Sequence, residues 1–119
     1  MGEPMQAGWT RFYTQMGRFE YQFQGRTPAV RGGQYLEAHD FQFLVMDEEG
    51  WLYRIPVQIT AEAEKLTEGA EGGAQRVAET QLRAGLENYC PRENAPYPEM
   101  DAQFAVDEAR ARELAAKTS

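Results

Sequence analysis

The stretch HDFQFLVMDEEGWLYRIPVQI, residues 39–59, decides the fold. Asp47-Glu48-Glu49-Gly50 puts an Asp at the first position of a turn and a Gly at the fourth, which suits a type I turn closed by a left-handed glycine bulge. Building outward from that turn sets Val45 opposite Tyr53, Phe43 opposite Ile55, Phe41 opposite Val57 and His39 opposite Ile59. The apolar pairs then share one face, because successive side chains of a strand alternate. A slip of one residue would move the whole set to the other face, so turn chemistry and hydrophobic pattern specify the same register. In that register Pro56 lies opposite Gln42 with its missing N–H directed away from the middle strand. The third strand is therefore expected at a sheet edge near Pro56, or to end its outer pairing there.

Toward the N-terminus, Phe19, Tyr21 and Phe23 alternate with polar residues across Arg18–Gln24, the period of a half-buried strand. Gly25–Gly33, with Pro28 and the Gly32-Gly33 pair, reads as a turn or bulged connection. Trp9–Met16 is compatible with a short helical turn or a lead-in strand, and residues 1–8 lack periodicity and are expected to fray.

Toward the C-terminus, Thr60 is an N-cap residue followed by Glu62 and Glu64, acids that favour a helix N-terminus. Gly69, Gly72 and Gly73 cut that helix short. Ala74–Tyr89 carries a helical stripe of Val77, Ala78, Leu82, Leu86 and Tyr89, with Glu79 four residues before Arg83. Pro91 ends it, and Pro91, Pro96 and Pro98 make residues 91–100 a stiff extended connector. A last helix is expected over 107–117, with Glu108–Arg112 and Glu113–Lys117 pairs and a thin stripe of Ala111, Leu114 and Ala115. So thin a stripe suits a weakly docked tail or an arm packed on another subunit. The expected fold class is α+β, one domain over 1–119. It is a three-stranded antiparallel meander in order 1-2-3, its third strand at an edge, packed on one face by C-terminal helices.

The chain has 119 residues, the size of one small domain, and 42% hydrophobic with 26% charged residues is an ordinary globular composition. No run reaches the ~18 apolar residues of a membrane span, and the first residues lack a signal peptide's basic and apolar regions. One cysteine cannot form an internal disulfide and fits a reducing compartment, so a cytoplasmic location is expected. The net charge of −7 opposes binding to duplex nucleic acid, where affinity comes from neutralising phosphates. The charge is uneven: residues 1–36 carry four arginines and two acids, whereas residues 37–59 carry five acids and one arginine.

The usual chemistries find little support. His39 is next to Asp40, but neighbours on a strand point to opposite faces, so the two do not form a pair, and His39 reads as a polar residue at the open end of the sheet. Neither GxSxG nor HExxH occurs. Cys90 has no histidine beside it and lies among Glu87, Arg92 and Glu93, an idle thiol rather than a nucleophile. Asp47-Glu48-Glu49 lacks the spaced ligands of a calcium loop. Gly69-Ala-Glu-Gly72-Gly73 precedes a helix but lacks a Lys-Ser/Thr, and Glu71 would repel an anion. Glu20 alternates with aromatics and is expected to face water. No catalytic residue, metal ligand or cofactor is assigned.

Half of the fourteen aromatics lie in the first 36 positions, interleaved with arginines. The core claims Phe19, Tyr21 and Phe23, which leaves Trp9, Arg11, Phe12, Tyr13, Arg18 and Tyr35 as candidate binding residues. Interfaces are enriched in Trp, Tyr and Arg. The expected function is that of a small acidic interaction or regulatory protein without a catalytic centre of its own. It would act by protein–protein binding as a homodimer or on a basic partner, through the strand-three edge, the N-terminal aromatics or the last helix. Two alternatives are single-stranded nucleic-acid or small-ligand binding by the same Arg/aromatic third, and an enzyme whose site is shared between subunits, with His39 or Cys90 meeting another chain's acids.

Overall fold

A computed structural model of the chain describes residues 8–68, 72–87 and 104–118. The 39–59 hairpin has the register derived above: Val45 pairs with Tyr53, Phe43 with Ile55, Phe41 with Val57, His39 with Ile59 and Gln42 with Pro56. Its turn is closed as expected, Gly50 N–H donating to Asp47 O at 3.0 Å and Asp47 N–H to Trp51 O at 3.0 Å. The Asp47 carboxylate also accepts from the Glu49 and Trp51 amides. Gly50 sits at φ 89°, a conformation side-chain-bearing residues rarely adopt.

The fold is α+β, but the sheet has five strands rather than three. Strands β1 (Thr10–Thr14), β2 (Gly17–Arg31), β3 (Gln34–Asp47) and β4 (Leu52–Thr60) form a curled antiparallel meander, and β5 (Ala105–Val106) adds to β4 in parallel. Three differences from the expectation have physical reasons. Residues 10–14 form a strand because Phe12 supplies one apolar position opposite Phe19. The segment 25–31 continues β2: register shifts between Phe23 and Gly25 and between Pro28 and Val30 interrupt the ladder locally, while Gly25 stays paired with Gln42 and Pro28 with His39. The third strand of the expected meander, β4, is not an edge along its full length: β5 covers Gln58 and Ile59, and Gln58 N–H donates to Phe104 O at 2.9 Å. From Pro56 back to Leu52 no described strand pairs with its outer side, so outer pairing stops beside the proline.

Helix α1 (Ala61–Leu66) starts at Thr60, whose hydroxyl accepts from the Ala63 amide at 3.2 Å. Helix α2 (Gly73–Leu86) buries Val77, Ala78, Leu82 and Leu86, the expected stripe. Helix α3 (Glu108–Thr118) begins at Asp107, whose carboxylate accepts from the Arg110 amide at 2.8 Å. Its Glu108–Arg112 pair forms at 3.6 Å. Ala111 and Leu114 are buried by the chain itself. Residues 1–7, Tyr89, Cys90 and the 91–100 connector lie outside the described residues.

One face of the sheet and the three described helices enclose a buried cluster that includes Phe12, Phe19, Tyr21, Phe41, Phe43, Val45, Ile55, Val57, Ile59, Leu82, Leu86, Phe104, Val106 and Leu114. Each large apolar side chain buried there is worth roughly 1.5–3 kcal/mol. Phe104 is fully buried, and a methyl group built on Gly85 would lie 2.2 Å from its ring. The absent side chain of Gly85 is the seat of that ring.

Candidate functional surface: the outer face of the sheet

Alternation along β1 divides the candidate residues. Phe12 points inward and is buried in the core, so it leaves the candidate set. Arg11 and Tyr13, on either side of it, point to the face that no described helix covers. Pairing carries this face across the sheet: Tyr13 is opposite Arg18, Arg11 opposite Glu20, Glu20 opposite Met46, and Met46 opposite Leu52. A second row runs Gln22, Leu44, Arg54. Trp9 precedes β1 and is half-buried. Tyr35 is 78% exposed but lies at the far end of the β2–β3 hairpin, about 40 Å along the strand from Arg18 at ~3.3 Å per residue. The structure brings Arg11, Tyr13 and Arg18 together and leaves Tyr35 apart.

The charges on this face run against the chain's net sign. Arg11 donates to Glu20 at 2.8 Å, a bond that raises the pKa of its guanidinium. Arg18 and Arg54 have no acidic partner among the described residues. Apolar groups adjoin them: Tyr13 is 72% exposed, Leu52 55%, Trp51 58% and Met16 40%. Met16 lies in the β1–β2 turn and Trp51 and Leu52 at the β3–β4 turn. The two turns touch, for a methyl group built on Gly17 would be 3.1 Å from Glu48 Oε1. The sequence had singled out Tyr13 and Arg18 on this face; Leu52, Arg54, Trp51 and Met16 join them in the structure. The signal for Leu52 and Arg54 was present: in the derived hairpin register they alternate with core residues Tyr53 and Ile55.

Three polar clusters lie elsewhere. The Tyr21 hydroxyl donates to Glu79 Oε1 at 2.7 Å and accepts from Arg83 at 2.9 Å, while the Arg83 guanidinium lies over the Phe12 and Tyr21 rings. The expected Glu79–Arg83 helix pair thus converges on a third residue from the sheet. Burial, then the bond to Glu79, raises the phenol pKa above its usual 10.0. Beside it, Gly72, Gln75, Arg76, Glu79, Thr80 and Arg83 line an open groove of about 500 Å³ along α2.

Glu64 of α1 takes a hydrogen bond from Arg26 at 2.6 Å and meets His39 Nδ1 at 3.0 Å. His39 is therefore held by a carboxylate 25 residues away, and Asp40, on the opposite face, is paired with Arg31 through two bonds of 2.9 and 3.1 Å. Buried Gln81 accepts from Arg110 at 2.6 Å, tying α2 to α3. Among the described residues no group of three or more His, Cys, Asp or Glu side chains is placed to hold a metal ion. No described helix is long and apolar enough to cross a membrane. No family model, no curated protein and no solved structure matches the chain.

Proposed function

We propose that this protein is a small cytoplasmic interaction protein that works by protein–protein binding through the face of its sheet that no described helix covers. The supporting observation is that exposed Tyr13 opposite Arg18, and exposed Leu52 two residues from Arg54, share one face of an otherwise acidic chain. Apolar surface exposed next to guanidinium groups is the composition of binding hot spots, where rings supply buried area and arginines supply directional bonds. The lone cysteine, Cys90, accords with a reducing compartment. Net charge attracts a basic surface at long range, whereas this face carries the opposite local sign, so contact there selects acidic groups.

The test is photo-crosslinking in the native host with a benzophenone amino acid in place of Tyr13, and separately of Lys65 on α1. The reading expects discrete protein adducts from position 13 and few from position 65. Equal yields from both positions, or none from position 13, would overturn it. The Arg11, Tyr13, Arg18 arrangement also has the form of a stacking platform for single-stranded nucleic acid. Retention of a labelled oligonucleotide by the wild type, lost on Tyr13→Ala, would move the reading there.

A further inference from the structure

We infer that the occupant of this face is a second copy of the chain, joined about a two-fold axis at the sheet end formed by the β1–β2 and β3–β4 turns. The inference rests on the protein-binding reading above and adds the identity of the partner. Phe19 pairs with Asp47, so Arg18 lies one residue beyond that pair on β2 and Glu48 one residue beyond it, in the β3–β4 turn. A half-buried cation and an exposed carboxylate thus lie at the same end of the sheet, and neither has an ion-pair partner among the described residues. A two-fold axis between two such corners sets Arg18 against Glu48 of the partner subunit and repeats the contact in reverse. Self-complementarity of this kind is what a closed two-fold interface requires. The same operation brings Tyr13, Met16, Trp51 and Leu52 against their own copies, covering four of the exposed large apolar side chains at one end of the molecule. A contact built from this end also leaves unused the stretches of β2 and β4 that carry Pro28 and Pro56, residues that impede further pairing.

The reciprocal pairs give a specific test by sedimentation velocity. Arg18→Glu places carboxylates against carboxylates at both contacts, and Glu48→Arg places guanidinium against guanidinium. Each variant alone is expected to dimerise roughly ten-fold more weakly than the wild type. An equimolar mixture of the two restores both contacts in a heterodimer, and wild-type affinity returns. Both positions are at the surface, and circular dichroism verifies that each variant is folded. A wild type that remains monomeric overturns the inference, as do single variants that associate like the wild type or a mixture that fails to recover. A monomeric wild type that still crosslinks from position 13 to another protein would sink the dimer and spare the binding surface. Failure of both measurements removes both.

Discussion

Tyr21 is the residue whose chemistry reaches furthest, because its one hydroxyl serves a carboxylate and a guanidinium on α2 while its ring packs edge-on against Phe12 and Phe43. Removing that hydroxyl leaves Glu79 and Arg83 without their shared partner. Tyr21→Phe should therefore cost about 1–2 kcal/mol at neutral pH, read as a lower melting temperature. The phenol holds its proton to higher pH in the fold than in the unfolded chain. Its contribution is thus complete below pH 10.0 and is lost as the pH climbs through the raised folded value. Thermal melts taken from neutral to strongly alkaline pH should fall less steeply for Tyr21→Phe than for the wild type, and parallel curves would contradict this account. Gly85 makes the opposite kind of demand. Alanine is the better helix former by about 1 kcal/mol, yet its methyl would lie 2.2 Å from the Phe104 ring. Gly85→Ala should destabilise the protein by about 1–3 kcal/mol, as overpacking does. Gly85→Ala combined with Phe104→Leu should recover part of the loss. A higher melting temperature for Gly85→Ala alone would mean that the ring moves aside.

Legibility in the sequence differed sharply between elements. The β3–β4 hairpin could be derived residue by residue because its turn and its hydrophobic alternation are local and agree. Thr60 announced α1 for the same reason, a capping side chain three residues before the amide it serves. Strand β1 has five residues and one buried side chain, too few to show a period. Strand β5 has two residues, and its evidence lies in contacts to β4 and α2 that no local pattern encodes. The candidate surface was half visible on the same grounds. Arg11, Tyr13 and Arg18 stood out as an Arg/aromatic run, whereas Trp51, Leu52 and Met16 join them only after the meander sets two turns side by side. At this scale Pro56 carries its own prediction. It occupies the stretch of β4 with no described outer partner, where an N–H would otherwise be offered to another chain. Pro56→Thr should leave the fold intact and raise concentration-dependent association, measured by light scattering on warming. Unchanged scattering would mean that the edge is guarded by other means.

Taken whole, the molecule is one sheet with two unlike faces. The inner face is aromatic and aliphatic and is closed by the three described helices. The outer face keeps Arg11–Glu20 paired, Asp40 locked to Arg31, and Tyr13, Leu52, Arg18 and Arg54 presented outward. The helical side carries its own ionic ties, Glu64 with Arg26 and His39, and Arg110 with Gln81 and Glu113. Closure of the inner face is completed by the last elements of the sequence, since Phe104, Val106, Ala111 and Leu114 all sit within a core whose earliest member is Phe12. That arrangement dictates when folding can finish on the ribosome. The meander and α2 can be synthesised and partly collapse, but the slot above Gly85 and the side of β4 at Gln58 stay open until Leu114 has left the exit tunnel. Until residues 104–114 are in place the inner face is incompletely covered, and their docking is the event that closes it.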